Sequence, residues 1–156
     1  MTIVSTDDFE PLRETTARRP TAMIYSELDT HISGLVKRLN AINGIRTIAS
    51  CQGHVRLGKA PYVYFHASPA LASRIEMHLR QAEAEGDRRL NTLWTLEGMF
   101  NEVGILMFRL HAPAYDRQAF TLAGQIKKLP CFRKKLNREL QALAEVIEEG
   151  AMLYYR

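Results

Sequence analysis

Apolar residues recur at helical spacing through Leu28, Ile32, Leu35, Val36, Leu39 and Ile42, which makes one stripe of a first helix. Ser26 opens it, with Asp29 three residues on as an approximate capping box. Asn43–Gly44 stops it, because glycine tolerates the left-handed backbone of a helix end. The pattern then changes to alternation, and residues 45–51 and 61–67 read as strands around a loop containing Gly53 and Gly58. Ser68–Pro69 starts the next helix, serine as cap and proline at the first helical position. Its inner stripe is Leu71, Ile75, His78, Leu79 and Ala82, and Gly86 ends it.

Residues 92–100 and then Gly104 to Leu110 predict two more strands. Ala112–Pro113 opens a helix with Tyr115, Ala119, Leu122 and Ile126 on one face, and Pro130 halts it. From Phe132 a last helix carries Leu136, Leu140, Leu143 and Ile147 in a seam, which serves equally for core packing or for a dimer. The order is α–ββα–ββα–α. Tyr64–Phe65–His66–Ala67–Ser68–Pro69 and Arg109–Leu110–His111–Ala112–Pro113 repeat one theme of strand, histidine, alanine, proline and helix. The expectation is an α+β two-layer domain of pseudo-repeated ββα units, with a mostly antiparallel sheet backed by helices on one face. Residues 1–20 read as a flexible arm, 21–128 as the core domain, and 129–156 as a C-terminal helix packed on the core or in a dimer.

Composition changes this picture little. At 156 residues and 46% hydrophobic content the chain suits one domain that needs neither disulfides nor metal to hold its core. No apolar run reaches membrane-spanning length, and the polar, acidic start does not resemble a secretion signal. Two cysteines, Cys51 and Cys131, read as free thiols of a cytoplasmic protein. A net charge of +4 tilts the chain towards anionic partners, a nucleotide-like ligand or RNA or DNA.

Candidate chemistry gathers in two places. Alternation along the strands puts Tyr62, Tyr64 and His66 on one sheet face with Arg109 and His111, while Val63, Phe65, Leu106, Phe108 and Leu110 turn to the helices. Aromatic rings beside a guanidinium suit a nucleobase and its phosphate. A solvated face or an oligomer contact would carry the same residue types. The Ser50–Cys51–Gln52–Gly53–His54 loop admits a backbone anion nest, a metal site on Cys51 and His54, or a cysteine nucleophile with His54 or His66 as base. Zinc is disfavoured because only two ligands are close in sequence, and no metal ligand is assigned. Cys51 also reads simply as a small buried residue ending a strand. Arg133, Lys134, Lys135 and Arg138 crowd the start of the last helix, where the dipole disfavours cations, and so are candidate nucleic-acid contacts.

Leu35–Val36–Lys37–Arg38–Leu39–Asn40, then Thr47–Ile48–Ala49–Ser50–Cys51–Gln52–Gly53–His54, then the strand to His66, resemble the tRNA wybutosine-synthesizing methyltransferase family. The similarity spans roughly residues 28–128, with the Ser-Cys-x-Gly turn as its sharpest element; His54 and Ala49 stand where that family has arginine and serine. The same turn also resembles short proteins of phages and plasmids. The family resemblance implies S-adenosylmethionine as cofactor and methyl transfer to a modified guanosine in tRNA. Ser50, Cys51 and Gly53 would then shape the site and His66 would line it. Two functions fit these residues: a nucleotide- or RNA-binding domain acting as such a methyltransferase, with His54 or His66 as proton acceptor, or a non-catalytic regulator of a mobile element, sequestering a nucleotide or binding DNA and dimeric through its last helix.

Overall fold

The computed structural model describes residues 30–53, 60–118 and 130–155. The N-terminal arm, the Ser26 cap with Asp29, His54, and the Ala119, Leu122 and Ile126 face lie outside them, as does the side chain of Cys131. The elements run α1 (Ser33–Ala41), β1 (Arg46–Cys51), β2 (Tyr62–His66), α2 (Pro69–Ala84), β3 (Thr95–Phe100), β4 (Leu106–His111), α3 (Pro113–Gln118) and α4 (Pro130–Tyr154). The expected α+β class is present. Ser68 caps α2 by accepting from the Leu71 amide at 3.2 Å, with Pro69 directly behind it. Pro130 is the first residue of α4, a position where its missing N–H costs nothing; the segment it was expected to end lies outside the described residues.

The four strands form one antiparallel sheet in the order β1–β2–β4–β3, so the second strand of each pair lies in the middle. Val63, Phe65 and Leu110 on those central strands are buried in one core with Leu35 and Leu39 of α1, Leu71, Ile75 and Leu79 of α2, and Leu140, Leu143 and Ile147 of α4. Helix α1 packs near β1, α2 near β3, and α4 lies against both helices. The leucine seam is therefore consumed inside the chain, which removes it as a dimer face. Large apolar side chains left in solvent sit elsewhere, among them Met77 on α2, Phe100, Val103 and Ile105 on the β3–β4 hairpin, and Met152 and Leu153 at the C-terminal end. No helix among the described residues is long and apolar enough to cross a membrane.

Two ion-pair clusters fasten α4 at its flanks. Arg38 of α1 grips Glu148 with Nε and Nη2 at 2.7 and 2.6 Å. Arg89, beyond α2, donates to Asp87 at 2.8 Å and to Glu149 at 2.7 and 2.9 Å. These Arg89 bonds hold the Asp87 and Glu149 carboxyls below their usual range. A carboxylate whose pKa is lower folded than unfolded stabilises the fold above the ordinary carboxylate range, and that contribution fades as pH falls through the folded value. Stability should thus drop on acidification below about pH 4. Arg89→Met should be less stable at pH 7 yet lose less between pH 5 and pH 3 (roughly the carboxylate range). Urea midpoints across that range check it; an acid limb unchanged by the substitution would refute the assignment. The groups face solvent, so the effect is modest.

Candidate functional site

Cross-strand register builds the site. One row across the sheet reads Cys51, Tyr62, His111, Thr95, and the next reads Ala49, Tyr64, Arg109, Glu97. Directly paired residues point to the same side of a sheet. Both rows therefore lie opposite the Val63 and Leu110 side that meets the helices. Tyr62, Tyr64, Arg109 and His111 share one face as their alternation predicts. The Tyr62 and Tyr64 rings are 4.9 Å apart at 55°.

The electrostatics of this face differ from the cationic surface expected. Asp116 of α3 reaches over it, with Oδ2 2.8 Å from His111 Nδ1, while Arg109 Nη2 donates to its two oxygens at 3.1 and 3.3 Å. Glu97 comes up from the edge strand, 3.5 Å from His111 Nε2 and 3.7 Å from Arg109 Nη1. A carboxylate only accepts, so His111 carries its proton on Nδ1 when neutral. Two carboxylates surround one guanidinium and one imidazole. Asp116 and Glu97 were not legible as site residues. Glu97 alternates with Thr95 on β3, but only the β3–β4 register brings it beside Arg109, and Asp116 depends on how α3 folds back after Pro113.

His66 does not join this cluster. Because β2 and β4 are antiparallel, the histidine ending each lies at opposite ends of the sheet. Tyr62 pairs with His111, whereas His66 pairs with Arg46, four residues further along β2 and so about 13 Å away. Its Nδ1 is 3.1 Å from the Leu106 carbonyl, which makes Nδ1 the protonated nitrogen. The grouping of His66 with Arg109 and His111 is corrected accordingly: His66 lies on the same strand face as Tyr62 and Tyr64 but at the far end of the sheet from His111. The Ser50–Cys51 pair is also split. Ser50 pairs with the buried Val63 and faces the helical layer, while Cys51 pairs with Tyr62 on the other side. Cys51 is buried at 6% exposure, and β2 separates its strand from that of His111 by two strand spacings, about 9.5 Å. A thiol so placed has no imidazole of β2 or β4 to activate it.

The turn after Cys51 is built as a structural joint. Gly53 has φ 82°, the left-handed conformation that favours glycine. Arg133 Nη1 donates to the carbonyls of Gln52 and Gly53, each at 2.9 Å, and the Gln52 side-chain oxygen accepts from the His31 amide at 3.1 Å. His31 meets Asn137 Nδ2 at 3.1 Å through Nδ1. At Gln52 and Gly53 carbonyls are directed at a guanidinium, which counts against the anion-nest reading of this turn. Arg133 is thereby taken out of the basic set, while Lys134, Lys135 and Arg138 remain exposed along α4. Among the described residues no group of three His, Cys, Asp or Glu side chains is arranged to hold a metal ion. Compared with protein-family models, curated proteins and solved structures, the chain has no match.

Proposed function

We propose that this chain is a nucleotide- or RNA-binding domain whose stacking platform is Tyr62 and Tyr64. The observation that carries this reading is the position of the two rings. They stand 4.9 Å apart on a central strand of a four-stranded antiparallel sheet, on the side away from the helical layer. A base laid on such rings gains about 1–3 kcal/mol of stacking without sequence preference, which suits single-stranded RNA or a mononucleotide. The methyltransferase reading draws support from the Ser-Cys-x-Gly resemblance, but it needs Ser50, Cys51 and His66 together. They are dispersed over both faces and both ends of the sheet, so the binding reading is preferred.

Calorimetry with a single-stranded oligoribonucleotide tests it. Tyr62→Ala combined with Tyr64→Ala should weaken binding by about 10- to 100-fold, following the loss of one to two stacked bases. Unaltered affinity in the double variant would overturn the platform. The same titration with S-adenosylmethionine separates the enzyme from the binder, since a methyltransferase must take up its methyl donor.

A further inference from the structure

We propose that Arg109 and His111 form a phosphate-binding site that Asp116 fills as an internal ligand. The Asp116 carboxylate stands where the phosphate of a bound molecule would lie. Its Oδ2 is shared by His111 Nδ1 at 2.8 Å and Arg109 Nη2 at 3.3 Å, so two side chains of one strand converge on a single oxygen. That is how a protein holds an oxyanion.

Asp116 fits the site incompletely. A guanidinium offers its donors as a planar fork, best satisfied when two oxygens bridge two nitrogens. Here both Asp116 oxygens crowd onto Nη2, at 3.1 and 3.3 Å. Glu97 is 3.7 Å from Nη1, beyond hydrogen-bonding distance. Arg109 Nε is buried with no acceptor among the described residues. A phosphate has three acceptor oxygens and no tether, so it can bridge Nε and Nη2 and still reach His111. Asp116 sits one helical turn into α3, five residues past His111, and the chain limits its approach. Its side chain is 33% exposed and Glu97 53%, so both carboxylates can withdraw into water without burying charge. Tyr64 pairs directly with Arg109, and Tyr62 with His111. A phosphate held there is the cross-strand neighbour of the stacking rings. Its assignment to a nucleotide rests on the binding function proposed above; the oxyanion site itself does not.

The test is a titration of the full-length chain with inorganic phosphate, followed by the ¹⁵N resonances of Arg109 Nε and the His111 ring. Asp116→Asn should bind phosphate about tenfold or more tighter than the unaltered protein, with both residues shifting, and adding Arg109→Met should erase the gain. Glu97→Gln removes the other carboxylate without touching α3 and should act in the same direction more weakly; it decides the matter even if Asp116→Asn does not fold. Equal phosphate affinity with and without the carboxylates, or a gain that survives Arg109→Met, would overturn the site. Adding a nucleoside that lacks phosphate separates the two readings. Tyrosine shifts without a phosphate gain would sink the oxyanion site alone, and a phosphate gain without tyrosine shifts would sink the stacking platform alone.

Discussion

Glu139→Ala should destabilise the fold by about 3–5 kcal/mol, the range seen when one partner of a buried polar network is removed. Glu139 is 1% exposed on α4, inside the core. Its Oε1 accepts from the Asn91 amide at 3.0 Å and the Trp94 indole at 3.2 Å, and its Oε2 from the Tyr115 hydroxyl at 3.0 Å. Thr92 donates in turn to the Tyr115 oxygen at 3.0 Å. Burial pushes the Tyr115 phenol well above its usual value, which keeps the proton available for donation. One carboxylate thus joins α4 to the lead-in of β3 and to α3. Alanine would leave three donors facing an apolar cavity, each costing about 1–3 kcal/mol if water does not reach it. Glutamine retains one acceptor oxygen and should cost less, about 1–2 kcal/mol. Urea unfolding followed by circular dichroism measures both. A Glu139→Ala protein within 1 kcal/mol of the unaltered chain (roughly one ordinary hydrogen bond) would show that the carboxylate does not hold these elements.

Gly150→Leu should cost about 3 kcal/mol, at the upper end of core overpacking. Helices α2 and α4 approach so closely that a Cβ on Gly150 would lie 2.9 Å from His78 Cβ and 3.3 Å from its ring carbons. Gly150→Ala sets two effects against each other. On an open helix face alanine would stabilise by about 1 kcal/mol. Here the obstructing atom is anchored to the α2 backbone, so the helices must separate, and the net change should be destabilising. His78→Ala keeps the offending Cβ and should not rescue Gly150→Ala, whereas His78→Gly should. Thermal melts of the four variants read this out, and a more stable Gly150→Ala protein would refute the close contact. The same approach explains why His78, legible as part of the inner stripe of α2, ends beside a helix backbone with Glu149 3.5 Å from its Nε2.

The acid response at Arg89, the proposed tyrosine platform and the proposed Asp116 site differ from these two in kind. Apart from the buried His111, they concern exposed or half-buried groups, where a substitution changes recognition or pH response more than folding. Arg133 is the exception among the charged candidates. Its position in the basic run Arg133–Lys134–Lys135 suggests a surface contact, yet its guanidinium is used to tie the Gln52–Gly53 turn to α4.

By itself the chain determined what acts over a few residues. Ser68–Pro69 placed the start of α2, Asn43–Gly44 the end of α1, and alternation put Val63 and Phe65 towards the helices with Tyr62 and Tyr64 away from them. These outcomes follow from backbone sterics and side-chain period, which no distant partner has to supply. The direction and register of strands far apart in the chain were decided only by tertiary structure. Running β4 antiparallel to β2 sent His66 and His111 to opposite ends, and it brought Arg109 beside Tyr64 and Glu97. A register irregularity between Thr47 and Ala49 put Thr47 opposite Phe65 on the helical side, where Asn40 of α1 bonds both its amide at 2.9 Å and its hydroxyl at 2.7 Å. Local pattern carries no information on such pairings, because either strand direction preserves the same alternation. The buried core, with Glu139 inside it, selects one of them.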